Sequence, residues 1–277
     1  MKKKNISILF TDNSVTSKNF ACHFLHYDIF CLDDFQLTVD NNNFNVSQLK
    51  LNQKHLPELD FIICLQKLQP KLIDNLASLL TTKTVILTNN ISNFVIFQHK
   101  RINCCYIKFN CDMQQQQEKL TLKSSENLEN LSESISIKHD NQLISKVLSK
   151  HIINASVGAV CLLQNKKPKQ LCFSFKAKKI ITNLIKEQIF LTNNVMLTVE
   201  KYKKLNFYKF LSGKGLWHKI RQNFSLFIFL HSLSVSFNQE AILNSLNEIN
   251  ELNFNNQTQI PKTQSLIQNF QQLLQKS

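Results

Sequence analysis

With 277 residues, 43% of them hydrophobic, the chain can bury the core of one large domain or two compact ones, and wholesale disorder is excluded. Its net charge of +14 comes from 33 basic against 19 acidic residues, but Arg101 and Arg221 are its two arginines. The excess is therefore lysine, which lacks the fork geometry that dedicated nucleic-acid binders use on bases and phosphates, and no nucleic-acid partner is expected. No run of ~18 uninterrupted apolar residues occurs, so neither a transmembrane helix nor a membrane partner is expected. The basic start at Met1–Lys4 precedes only a short apolar run before Asp12 and Asn13, which argues against a secretory signal and for a cytoplasmic location. None of the eight cysteines forms a Cys-x-x-Cys pair and the histidines lack ligand spacing, so no metal site is expected. Cys31, Cys64 and Cys161 sit in apolar runs and read as small core residues.

In chain order, Asn5 to Phe10 reads as a first strand, Ser17 to Leu25 as a helix and Asp28 to Leu32 as a second strand. Phe35 to Val39 and Phe44 to Val46 are shorter strand candidates around a turn-like Asp40 to Asn43. Asp60 to Leu65 reads as a buried strand, Lys71 to Leu80 as a helix, and Thr84 to Thr88 and Cys104 to Phe109 as further strands. Strands alternating with helices predict a Rossmann-like, doubly wound parallel sheet, an α/β first half. Asp112 to Glu133 is polar and reads as a loop or a degraded pair of strands. From Asn141 the periodicity is helical: Gln142 to Leu163, Lys178 to Tyr202, Leu216 to Leu233, Asn238 to Leu252, and a last helix opening at Pro261. The second half is thus all-α.

Two buried strands end in polar residues, the first at Gln66-Lys67 and the second at Asn89-Asn90. Open parallel sheets bind ligands at the carboxyl ends of their strands, which makes Lys67 and Asn90 candidates for contact with a nucleotide. By pattern alone they read more readily as polar loop residues. The stretch from Asp60 through Lys67 to Asn90 resembles the ketopantoate reductase family, with Ile91 in place of that family's following Gly. The resemblance continues in the helical half. Ile144-Ser-Lys146-Val-Leu-Ser-Lys150-His-Ile-Ile-Asn154 is similar to the family's Trp-x-Lys-Leu-x-x-Asn-x-x-x-Asn, with Lys150 where the first Asn stands. Ser236 and Glu248 fall on its C-terminal Ser and Glu motifs.

This resemblance implies a dinucleotide-binding domain at 1–138 and a helical substrate and catalytic domain at 139–277. It also implies hydride transfer from a nicotinamide cofactor, NADP or NAD, to 2-dehydropantoate, a small 2-keto acid. Lys146 is then the general acid and Glu248 its orienting carboxylate, while Asn154 and Ser236 bind substrate. A homodimer is compatible with it.

The Gly-x-Gly-x-x-Gly turn of a dinucleotide fold is replaced by Phe10-Thr-Asp-Asn-Ser-Val15. Asn13, the residue there most tolerant of a left-handed turn, and Ser14, a hydroxyl donor, are the expected substitutes. Asp33 and Asp34 stand where the family often has Arg for a 2′-phosphate, and suit the free ribose of NAD. A second reading, a binding or scaffold protein of the same fold without dinucleotide chemistry, stays open on the missing glycines. If the chain folds as two units joined near 133–141, limited proteolysis should cut first between Asp112 and Glu133. First cuts within Leu143 to Leu163 would count against that partition.

Overall fold

The computed structural model describes residues 6–32, 36–39, 42–50, 57–77, 80–109, 121–125, 128, 136–197, 216–233, 237–253 and 260–276. Contacts divide the chain into two compact units, Met1–Ile144 and Ser145–Ser277.

The first unit runs β1 (Ser7–Phe10), α1 (Val15–Ala21), β2 (Asp28–Cys31), β3 (Gln36–Val39), β4 (Asn42–Asn45), β5 (Ser47–Gln48), β6 (Phe61–Cys64), α2 (Pro70–Ala77), β7 (Val85–Thr88), α3 (Ile91–His99), β8 (Cys104–Phe109), β9 (Thr121–Ser124) and β10 (Ser136–His139). Eight strands form one sheet in the order β10-β9-β8-β7-β6-β1-β2-β5. Six of them, β5-β2-β1-β6-β7-β8, are mutually parallel; taken in chain order they lie 3-2-1-4-5-6, the doubly wound arrangement. β9 then turns antiparallel to β8, and β10 runs parallel to β9.

Alternation along the central strands supplies two cores. Ile8, Phe10, Phe61, Ile63, Leu87 and Ile107 face Phe20 and Phe24 from the α1 region. On the opposite face Tyr106 meets the Phe94 ring of α3 edge-on, 6.0 Å between centroids. Burial on both faces explains the unbroken apolar run Phe61-Ile-Ile-Cys64.

Two local features differ from the sequence reading. The helix expected over Ser17 to Leu25 starts at Val15 and tightens into a 3₁₀ turn at Cys22–Phe24. Asn42 and Asn43, expected in a turn, belong to β4, paired antiparallel with Val39 and Thr38 of β3. Within the polar segment, where a loop or a degraded pair of strands is expected, Thr121–Ser124 is a strand whose Leu122 is fully buried. Helix α3 and strand β10 were not anticipated.

The second unit is helical: α4 (Leu143–Ile153), α5 (Ala159–Leu163), α6 (Pro168–Leu171), α7 (Phe175–Leu197), α8 (Leu216–Ser232), α9 (Gln239–Glu251) and α10 (Pro261–Lys276). A π-helical turn, Asn154–Gly158, joins α4 to α5 without a break. By length and composition the resulting Leu143–Leu163 rod could cross a membrane, but half of it is buried in the unit. It packs there against α7, α9 and α10 as a core helix. At Gly158 a Cβ would lie 2.7 Å from Phe237 Cδ1 and 3.0 Å from Ile242 Cγ1, so the absent side chain sets the approach of α9.

Two helices end without glycine. After α3, Ile102 N–H donates to Phe97 O and Arg101 N–H to Gln98 O, with Arg101 at φ 57°. After α5, Lys166 N–H donates to Cys161 O and Asn165 N–H to Leu162 O, with Asn165 at φ 48°. Both are Schellman closures, whose left-handed residue is usually Gly. Arg101→Gly should therefore stabilise the protein by about 1 kcal/mol. Gly158→Ala should destabilise it by about 1–3 kcal/mol, because Phe237 and Ile242 must move. Paired urea melts measure both effects, and a destabilising Arg101→Gly would contradict the assigned closure.

Candidate functional site

In the first unit, the carboxyl ends of β1, β6 and β7 bring the sequence candidates to one edge of the sheet. The strand order reverses between β1 and β6, the switch point where open α/β sheets place ligands. Thr11 ties the two strands together by donating its N–H and its hydroxyl to Ile63 O, at 3.1 and 3.3 Å.

The next residue decides the chemistry of the loop. Asp12 Oδ1 accepts the Ser14 N–H at 3.0 Å and the Ser17 hydroxyl at 2.7 Å. Its Oδ2 is buried, with no hydrogen-bond donor among the described residues. A carboxylate thus sits on the first turn of α1, where the pyrophosphate would lie in a glycine-looped dinucleotide fold. Two expectations are corrected here. Asn13 is exposed and does not take the left-handed conformation, which among the described non-glycine residues Arg101 and Asn165 adopt. Ser14 is the N-cap of α1, its Oγ accepting Ser17 N–H at 3.2 Å, so its oxygen serves its own helix. This turn does not fit a pyrophosphate as it stands.

The neighbouring strand ends offer a better donor set. Lys67 is exposed just past β6. Asn90 caps α3, its Oδ1 accepting Asn93 N–H at 2.8 Å. Sequence reasoning missed Asn93, which is fully buried. Its Nδ2 donates to Gln66 O at 2.7 Å and its Oδ1 accepts Leu68 N–H at 3.1 Å, so it clamps the loop that carries Lys67. Its signal in the sequence is a polar residue three after the cap, inside an apolar run. Asp33 and Asp34 lie outside the described residues.

In the second unit, α9 lies against the π-helical turn Asn154–Gly158 and the end of α4 at His151. Ser245 is nearly fully buried and is their hub. Its hydroxyl donates to Ala241 O at 2.7 Å, which uses its single proton. Asn154 Nδ2 then donates to Ser245 Oγ at 3.2 Å, and His151 Nδ1, at 3.1 Å, must carry its proton toward the same oxygen. Ser245 and His151 were not singled out from the sequence. Gly158 meets Ile242, while His151 and Asn154 meet Ser245, so the helices run antiparallel. Glu248, one turn beyond Ser245, is on the side of α4 toward Lys150 and Lys146. It is half-buried, with Oε2 shielded from solvent. Lys146, Lys150 and Asn154 recur every fourth residue, Lys146 and Lys150 exposed and Asn154 half-buried. Asn154 also opens the π-helical turn, a distortion that recurs at functional sites. Ser236 lies outside the described residues.

Such a stripe can polarise a carbonyl through a lysine and orient hydroxyls through an amide and a carboxylate. Cysteine chemistry does not compete with it. Burial pushes the Cys64 thiol far above its ordinary range and the Cys161 thiol up to about 11, so neither is a thiolate at neutral pH. Among the described residues no group of His, Cys, Asp or Glu is arranged to hold a metal. Replacing Ser245 by Ala would strand two donors, Asn154 Nδ2 and His151 Nδ1, at a buried contact. A loss of about 1–3 kcal/mol in a denaturant melt, with helical content retained, is expected. An unchanged midpoint would remove Ser245 from its role as hub.

No family model and no curated protein matches the sequence. Among solved structures the chain is similar to a provisionally assigned 2-dehydropantoate 2-reductase from Enterococcus faecalis, with 11% identity over 96% of this chain and 97% of that one and a TM-score of 0.53. A dimeric ketopantoate reductase from Staphylococcus aureus aligns at 10% identity over 96% of this chain and 99% of that one, TM-score 0.48. A D-mandelate dehydrogenase in complex with NADH aligns at 11% identity over 96% and 97%, TM-score 0.49. Over nearly its whole length the chain has the fold of the Enterococcus faecalis protein, a Rossmann-like sheet followed by a helical half.

Proposed function

We propose that the chain is an oxidoreductase of the 2-dehydropantoate 2-reductase type. It reduces the C2 carbonyl of 2-dehydropantoate, or of a closely similar branched 2-keto acid, to the hydroxyl of pantoate, a step toward pantothenate and coenzyme A. The observation that carries this reading is the bond from Asn154, on the rod that also bears Lys146, to Ser245 of α9, one turn before Glu248.

Lys146 Nζ donates a proton to the substrate oxygen as that oxygen gains charge. Glu248 orients Lys146 or the substrate hydroxyls, and Asn154 and Ser236 hold the substrate, Ser236 at its carboxylate. A nicotinamide cofactor supplies the hydride when bound. Residues 1–138 are assigned to the cofactor and 139–277 to the substrate. Lys67 and Asn90 contribute contacts at the strand ends, with Asn13 reaching in from the exposed loop. NADP is what the family resemblance implies, and NAD is what Asp33 and Asp34 suit. A cytoplasmic homodimer accords with this reading.

A second reading is favoured by a specific observation, the Asp12 carboxylate on α1. A negative charge there opposes a pyrophosphate, which suits a binding protein of the same fold that no longer takes dinucleotides. Calorimetric titration with NADPH and with NADH separates the two. The reductase reading expects weak binding, tightened about tenfold by Asp12→Asn, which keeps the cap and removes the charge. No binding of either at millimolar ligand selects the second reading. With cofactor binding established, Lys146→Ala should lower turnover of 2-dehydropantoate by ~10²–10⁴ while the fold persists. Glu248→Gln should lower it clearly without loss of helical content. Turnover within a factor of about two for Lys146→Ala would reduce it to a solvated lysine.

A further inference from the structure

The helical unit holds a set of large apolar side chains in solvent. Phe173, at the end of α6, is 79% exposed, and Phe175, the first residue of α7, 68%. On α8, Ile220, Phe224 and Ile228 recur every fourth residue and are all exposed, Phe224 at 64%. The two groups form one surface. The Phe173 ring meets Phe227 edge-on, 5.6 Å between centroids, and Phe227 is flanked on α8 by Phe224 and Ile228. The same helix buries Leu226 and Leu230, so α8 is apolar on both sides. Contiguous exposed apolar patches mark interaction surfaces.

Charge indicates what provides the cover. From Lys166 to Lys186 the chain carries seven lysines and no acidic residue, and α8 adds Lys219 and Arg221, again with no acid. Lys166, Lys167 and Lys169 line a cavity of about 670 Å³, together with Cys161, Leu162 and Phe237. We propose that this face docks the chain on an anionic phospholipid bilayer. The phenylalanines and isoleucines enter the boundary between headgroups and acyl chains, and the lysines lie against lipid phosphates. Aromatic and aliphatic side chains beside lysines are the pattern of interfacial binding.

A second copy fits less well, since a two-fold axis would set this lysine-rich face against itself. Single-stranded nucleic acid fits less well too. Its bases stack on free aromatic faces, whereas Phe173 and Phe227 are engaged with each other. The inference is independent of the reductase reading, because it uses no residue of the α4–α9 stripe.

The test is co-sedimentation of the full chain with phosphatidylglycerol/phosphatidylcholine vesicles and with pure phosphatidylcholine vesicles, at low and high salt. Binding to the anionic vesicles alone, weakened by salt, is expected. Phe173→Ser with Phe224→Ser should lower partitioning at least tenfold with the circular dichroism spectrum unchanged, and so should Lys167→Glu with Lys169→Glu. Lys83→Glu, an exposed lysine of the first unit, serves as the charge control and should have little effect. Should the phenylalanine variant misfold, the lysine pair measured against Lys83→Glu decides. Three outcomes overturn the proposal: no binding to anionic vesicles at low salt, loss equal to that of Lys83→Glu, or a chain that ignores vesicles and whose Phe224→Ser variant shifts from dimer to monomer.

Discussion

The constraint that shapes this molecule is the near absence of glycine. Three glycines serve 277 residues, so most points where a chain normally turns without a side chain must be managed with one. At the β1–α1 turn the solution is a carboxylate: Asp12 takes up donors that a glycine loop would present to an outside anion. At the ends of α3 and α5 the solution is strain, with Arg101 and Asn165 in the left-handed region. Gly158, the glycine within the described residues, lies instead where α9 presses closest on the core rod. Conformational freedom has been kept for packing in the helical half and withdrawn from ligand approach in the sheet half.

Each half is held near its candidate residues by one buried polar side chain that bonds across elements. Asn93 joins the loop after β6 to the start of α3, and Ser245 joins α9 to α4. Both are buried, and a buried amide or hydroxyl left unsatisfied is costly. Their bonds therefore specify geometry more than they add stability. The loop bearing Lys67 and the helix face bearing Asn154 are positioned by groups that would never be chosen as ligands themselves.

Much of the architecture could be read from residue patterns. Phe61 to Cys64 and Val85 to Thr88 are short apolar runs bounded by polar residues, and they are buried parallel strands. The stripe Ile242, Leu246 and Ile249 marks α9. Helix α3 escaped because Ile91, Ser92, Asn93, Phe94, Val95 and Phe97 are all buried, which leaves no polar face to reveal a 3.6-residue period. Strand β9 was legible only as one of two readings of the polar segment, because it is short and mostly polar with Leu122 in the core. At the candidate sites, Lys146, Asn154 and Glu248 could be named from the residues and their family resemblance. Ser245 and His151 could not, since their meeting depends on contacts more than 90 residues apart. The Asp12 side chain is plain in the sequence, but its bonds to Ser14 and Ser17 belong to a turn conformation that spacing does not encode.

The π-helical turn at Asn154–Gly158 has a meaning beyond its local hydrogen bonds. It is a phase slip, one surplus residue absorbed by an otherwise regular rod. The rod is pinned to α9 at both margins of the slip, by the Ser245 contacts on one side and the bare Cα of Gly158 on the other. The azimuth of everything before it, Lys146 included, is thereby locked relative to everything after it. Winding the same residues as an unbroken α-helix would erase the slip and turn one segment against the other by about 100°. The candidate stripe would then swing away from the α9 face while the composition, the hydropathy and every residue of the chain stayed the same.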